Sequence, residues 1–251
     1  MSEWVAVSRS LHGDMAHVPR KGFYHTERSA VSVALLSELA AMLPHYVIGF
    51  LALEDAVFPV AILGIENNQN LYLNSDGRWL ASYVPAEFRS HPFALIDDGM
   101  GRKVLAIDRG HLSTEGEPLF EEGVLSAKVS DVVTFLTHCD SDRQATGNAC
   151  QALQQAGVLT DWVLDVPVGG VCRQVRGLKR IDERALNALD ESAFAALRGA
   201  PIQIAYAQLF SMSQVKQLSQ RASLPMNAVN EKRFSLDDLF GEEDGNLSFD
   251  S

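Results

Sequence analysis

From Glu27 to Leu43 the apolar positions Val31, Leu35, Leu39 and Met42 recur at spacings of three and four, with Val33, Leu36 and Leu43 widening the stripe. That period predicts an amphipathic helix, ended by Pro44. The next two runs, Tyr46–Leu53 and Val57–Ile65, are apolar throughout and separated by the turn-sized Glu54-Asp55-Ala56. They predict an antiparallel hairpin in which Pro59 marks an edge position or a bulge. Asn70–Leu73 and Arg78–Val84 flank the turn Asn74-Ser75-Asp76-Gly77 and read as a second strand pair. Phe93–Ile96 and Lys103–Ile107, around Asp97-Asp98-Gly99, read as a third. The first half is thus a meander-like β region carrying one helix.

The period changes after Val124. Val129, Val132, Val133 and Leu136 form one helical stripe, and Ala149, Cys150, Leu153 and Gln154 suggest a second helix. Gly147 marks a break between them, and Gly157 is placed as a C-cap. Val158–Val166 and Val171–Gly177 read as strands joined through Val168-Gly169-Gly170. Asp182 and Asp190 are suited to cap two short helices, the second ended by Gly199. Pro201–Leu209 fits either a strand or a buried helix. Ser211-Met212-Ser213-Gln214 has capping-box spacing for a last helix to about Ala222. The fold class is α+β: a mixed, largely antiparallel sheet with packed helices, in one domain over residues 1–224.

Residues 225–251 depart from this pattern. They hold seven acids against two bases, and so supply −5 of the chain's net charge of −11. Such a segment is expected to form a flexible, disordered acidic tail. Within it Ser235 and Asp238 have capping-box spacing, and Leu236, Leu239 and Phe240, with Phe234 beside them, would share a helical face. That pattern suits a docking helix that folds on a partner, or a solubilising tail touching its own domain.

Charge and composition narrow the function. With 32 acidic and 21 basic residues, the chain lacks the footprint of a nucleic-acid binder. The amino terminus lacks the basic-then-apolar pattern of a secretory signal, and Glu54-Asp55 interrupt the most apolar region, so no membrane span is expected. Three widely spaced cysteines, Cys139, Cys150 and Cys172, fit a reducing cytoplasm and read as small buried hydrophobes. The seven histidines show no H-x-H or H-E-x-x-H spacing and no zinc-finger pairing; His12, His17 and His25 read as surface or loop residues. No metal site, nucleophile elbow or glycine-rich cofactor loop is predicted, and no cofactor.

One segment is dense in recognition chemistry. Asn70, Arg78, Trp79, Tyr83, Arg89 and His91 lie within 22 residues and combine planar cations, flat aromatics and amides. They suit a peptide, sugar or protein-binding surface. The alternative is a hairpin core of Trp79, Tyr83 and Phe93 with Arg89 in a structural ion pair. Asp108 and His111 complete the polar candidates.

The same segment, Asn70-Leu71-Tyr72-Leu73, Asp76-Gly77-Arg78-Trp79, Tyr83-Val84-Pro85-Ala86, Arg89 and Pro92-Phe93, resembles the signature of the SapC-like family of bacterial proteins. Ile107-Asp108, Glu115 to Phe120, Gly177-Leu178, Ile181-Asp182 and Ile204 to Met212 continue the likeness, which runs from about Leu39 to Arg221. His91 stands where the pattern carries an aromatic. The resemblance implies an accessory role in peptide or glycan uptake or modification. Members are often encoded beside TonB-dependent receptors, cupin-like oxygenases and halogenase-like proteins. The reading is therefore a non-enzymatic cytoplasmic binding protein with a protein partner, for which an oxygenase or halogenase-like enzyme is the candidate. The alternative is a metal-independent enzyme, or a subunit completing one, that uses Arg89, His91, Asp108 and His111.

Overall fold

The computed structural model describes residues 3–53 and 56–224. The tail, with its docking candidates Phe234, Leu236, Leu239 and Phe240, lies outside the described residues. The chain opens with β1 (Trp4–Ala6), α1 (Arg9–His12), β2 (Ala16–His17), β3 (Val31–Val33) and α2 (Leu39–Met42). The long hairpin β4 (Val47–Leu53) and β5 (Ala56–Ile62) follows, then α3 (Ala86–Arg89), β6 (Phe93–Asp97) and β7 (Lys103–Asp108). Four two-residue strands come next: β8 (Leu112–Ser113), β9 (Glu117–Pro118), β10 (Phe120–Glu121) and β11 (Val124–Leu125). They lead into the 29-residue helix α4 (Ala127–Gln155) and the ribbon β12 (Leu159–Val168) and β13 (Val171–Ile181). Helices α5 (Glu183–Asn187), α6 (Glu191–Ala196), α7 (Ala200–Ser211) and α8 (Val215–Ser223) close the described chain.

The central sheet is antiparallel, in the order β12-β13-β4-β5-β3. A second antiparallel sheet, β1-β7-β6, carries its own small core of Phe93, Ile107, Leu119, Val129 and Leu136. Helix α4 joins the two. Val129 and Leu136 in its first half pack on the small core, whereas Ala149, Cys150 and Leu153 in its second half pack on the central one. At a 1.5 Å rise per residue α4 runs about 43 Å, which lets it serve both. The mixed α+β class with antiparallel sheets agrees with the sequence reading.

Several local expectations give way to tertiary pairing. Over 27–43 the structure places a strand and two short helical turns. Val31, Ser32 and Val33 pair with Ile62, Ala61 and Val60 of β5. Of the stripe, Leu35, Leu39 and Met42 are buried, as is Val33, while Val31, Leu36 and Leu43 are half-buried, so the pattern reports burial better than conformation. Pro59 does not sit on an edge strand. Its carbonyl accepts from the Ala34 N–H at 2.9 Å. Both backbone groups of a strand residue point the same way, so the missing N–H faces the end of β3 and spares the β4–β5 ladder.

Asn70–Leu73 and Arg78–Val84 are not strands; a single bridge joins Leu73 and Trp79. Asn74 Oδ1 accepts from the N–H groups of Asp76 and Arg78, at 3.1 and 2.7 Å, and so replaces a ladder with side-chain bonds. Gly147 does not break α4. A Cβ there would lie 3.3 Å from the Phe58 ring, so its role is close approach. Gly157 ends α4 at φ 68°, with the Schellman bonds Gly157 N–H to Gln154 O and Val158 N–H to Leu153 O. Asp182 and Asp190 cap α5 and α6 as expected. Pro201–Leu209 belongs to helix α7. Ser211 caps nothing: its Oγ accepts from the Ile48 N–H at 2.9 Å and donates to Gln208 O at 2.6 Å, binding α7 to β4. Cys150 is buried, Cys139 half-buried and Cys172 exposed, so the three are not alike.

Candidate functional site

The dense segment 70–89 is largely spent on the fold. Trp79 is 7% exposed, packs between Phe23, Tyr72 and Phe88, and donates its Nε1–H to Tyr46 Oη at 2.8 Å. Tyr46 Oη donates to the Tyr83 carbonyl. Buried Asn70 donates to Thr26 O at 3.0 Å and accepts from the Tyr72 N–H at 2.9 Å. Burial pushes the Tyr72 phenol up to about 12. Arg78 is exposed.

Glu38, 3% exposed, anchors the other end of this segment. Its carboxylate accepts from Tyr83 Oη at 2.8 Å, Ala86 N–H at 2.6 Å and Leu35 N–H at 3.3 Å. Burial raises the carboxyl above its usual range, against the pull of those donors. Arg89 stands 3.9 Å from Glu38, donates to Tyr83 Oη at 3.1 Å and lies over the Phe135 ring.

The remaining candidates, His91, Asp108 and His111, meet in a different place, with two histidines that their spacing had not connected to them. His25 stacks face to face on His91, with centroids 3.9 Å apart and planes 8° apart. His111 meets His91 edge-on at 4.8 Å. His17 lies against Phe93 at 4.9 Å and 3.6 Å from Glu117. His12 and His17 are both buried, at 6% exposure, against the surface or loop expectation. Inside the small sheet's layer an imidazole supplies apolar area as well as a polar edge.

Carbonyls and carboxylates only accept, and this fixes two tautomers. His111 Nδ1–H donates to Val18 O at 2.7 Å, and His91 Nε2–H donates to Asp108 Oδ2 at 3.2 Å. His91 Nδ1 is then a buried acceptor with no donor. Burial holds His91 and His17 below the usual histidine range. Burial, with the facing His91, takes His25 down to about 4. Asp108 can orient His91, but the ring is 9% exposed and its free nitrogen faces protein. Among the described residues no group of three or more His, Cys, Asp or Glu is placed to hold a metal ion.

An open concave surface lies elsewhere, along α4. A groove of about 810 Å³ is bounded by Ala56, Val57 and Phe58 of β5, Lys103 of β7 and one face of the helix. That face is Asp140, Arg143, Gln144, Gly147, Asn148, Gln151, Gln154 and Gln155, a run of three- and four-residue steps. Asn148, Gln151, Gln154 and Gln155 are exposed, and their amides make no hydrogen bond within the described residues. Lys103 and Asp140 face each other at 3.7 Å, and the Arg143 guanidinium lies 5.8 Å from the Phe58 centroid. A second cavity of about 170 Å³ shares Asp140 and Arg143 and continues past Glu87, Ser90 and Leu136. The stripe was present in the sequence, but it overlaps the apolar positions Ala149, Cys150 and Leu153, with which the exposed Gln154 was grouped.

These features define an α+β protein whose two main antiparallel sheets, beside the smaller pairings β8-β2-β9 and β10-β11, pack on one long helix, with an amide-lined groove between helix and hairpin. A family model described as SapC matches residues 7–218, and the chain belongs to that family. No curated protein and no solved structure matches it. Among the described residues no helix is long and apolar enough to cross a membrane.

Proposed function

We propose that this protein is a non-enzymatic, cytoplasmic binding or accessory protein that acts with partner proteins in bacterial peptide or glycan uptake or modification. It takes its ligand in the α4 groove. The observation that carries this reading is the groove's row of amides with unused hydrogen-bonding capacity beside a half-buried aromatic ring. The groove has the volume of a ligand pocket, with a lining more polar than such pockets usually carry. In the segment 70–89, by contrast, the side chains of Asn70, Trp79, Tyr83 and Arg89 spend their polar atoms on the fold. The test is amide NMR of the full chain titrated with short peptides and with soluble oligosaccharides. Shifts confined to residues 140–155 and 56–58 support the reading, and their absence with both ligand classes refutes it.

The hydrogen bond between His91 and Asp108 favours a second reading, an enzyme or a subunit completing an oxygenase or halogenase-like enzyme. A turnover abolished by His111→Ala at unchanged stability would replace the first reading with this one.

A further inference from the structure

We infer that the α4 groove is built for a linear, uncharged oligosaccharide lying lengthwise on the helix; this rests on the reading of the groove as the ligand site. Three features of the lining select that class over a peptide or an anion. The first is the repeated amide. Asn148, Gln151, Gln154 and Gln155 each offer a donor and an acceptor side by side, as sugar hydroxyls do. The second is Phe58. Its ring lies against α4 because Gly147 has no Cβ, which would come within 3.3 Å of it, and the ring is only half-buried. A flat apolar face next to planar amides matches a pyranose ring, which has an apolar C–H face and a polar rim. The third is charge. Lys103 faces Asp140 at 3.7 Å and Arg143 lies over Phe58, which leaves a single cation without an acidic partner and not the cluster that a phosphate or acidic polymer would need.

The shape sets the length. From Asp140 to Gln155 the stripe spans about 22 Å of helix axis, the length of about four hexose units. The second cavity extends the path beyond Arg143. A peptide in extended form would instead seek pockets for alternate side chains. The lining offers only Ala56, Val57 and Phe58 as apolar contacts.

The test is calorimetric titration of the full chain with malto-, cello- and chito-oligosaccharides of increasing length. Oligogalacturonides and a library of uncharged octapeptides are run beside them. In at least one neutral series, affinity should climb with chain length and level off at about four units. Asn148→Ala and Gln151→Ala should each weaken it about three- to tenfold, the worth of one lost hydrogen bond. Both positions are exposed on a helix, where alanine is well tolerated, so the variants fold. Neutral sugars that bind with no response to either variant overturn the inference. So does binding of oligogalacturonides alone. Binding of peptides alone, with shifts on 140–155, overturns it while leaving the broader reading of the groove intact. No binding of any class at millimolar concentration overturns both.

Discussion

Replacing Glu38 by alanine should be among the most destabilising single changes in this chain, although Glu38 is an acid at the end of a short helical turn. Its carboxylate is 3% exposed and accepts three hydrogen bonds, two of them from the N–H groups of the buried residues Leu35 and Ala86. Those two donors have no water to turn to, and each orphaned buried group costs about 1–3 kcal/mol. Tyr83 is half-buried and can hydrate its hydroxyl, and Arg89 is exposed, so neither adds much. Relief of the buried charge offsets part of the loss. The net expectation is about 3–4 kcal/mol, a large share of a typical folding free energy. Glu38→Gln keeps one acceptor for Tyr83 and Ala86 and turns its amide toward the longest contact, that of Leu35, so it should cost about 1–2 kcal/mol. Urea unfolding followed by tryptophan fluorescence measures both, with Trp79 reporting from the same cluster. A Glu38→Ala protein within about 1 kcal/mol of the parent would refute the argument.

The histidine layer predicts loss of stability in acid. The pKa of folded His25 lies near 4, below the ordinary value of 6.5, so between those values the unfolded chain binds protons that the folded chain does not. Stability therefore falls as pH drops through that window. Because His25 is an exposed residue, water screens the effect to about 1–2 kcal/mol. His25→Gln should flatten the pH dependence, whereas an unchanged slope would exonerate the stack; Glu38, whose carboxyl is raised, works in the opposite direction in both proteins. Gly64→Ala should cost more than about 2 kcal/mol in denaturant unfolding, because its Cβ would fall 2.2 Å from the Gln69 carbonyl oxygen, which is backbone. Under native alkylation Cys172 should label first and Cys150 last, since Cys172 is exposed while burial takes the Cys150 thiol up to about 12. Peptide mapping by mass spectrometry gives the order.

The amino-acid sequence by itself determined the features that depend on near neighbours. The hairpins β4–β5, β6–β7 and β12–β13, the caps at Asp182 and Asp190, and the Gly157 stop each rest on residues a few positions apart, where apolar runs, turn residues and cap chemistry act directly. Tertiary structure decided the rest. Val31–Val33 became a strand because β5 offered an unpaired edge, which outweighed a helical stripe in the local pattern. Trp79 and Asn70 went inside because Tyr46 and Thr26, distant in sequence, supply partners for their polar atoms. The same cause gathered His25, His91 and His111 from three separate segments. The groove needed both levels: the amide stripe is written in α4, but only the packing of Phe58 on Gly147 makes it one wall of a cleft. Spacing can tell which side chains share a face of a helix; what stands opposite that face depends on contacts between residues far apart in the chain.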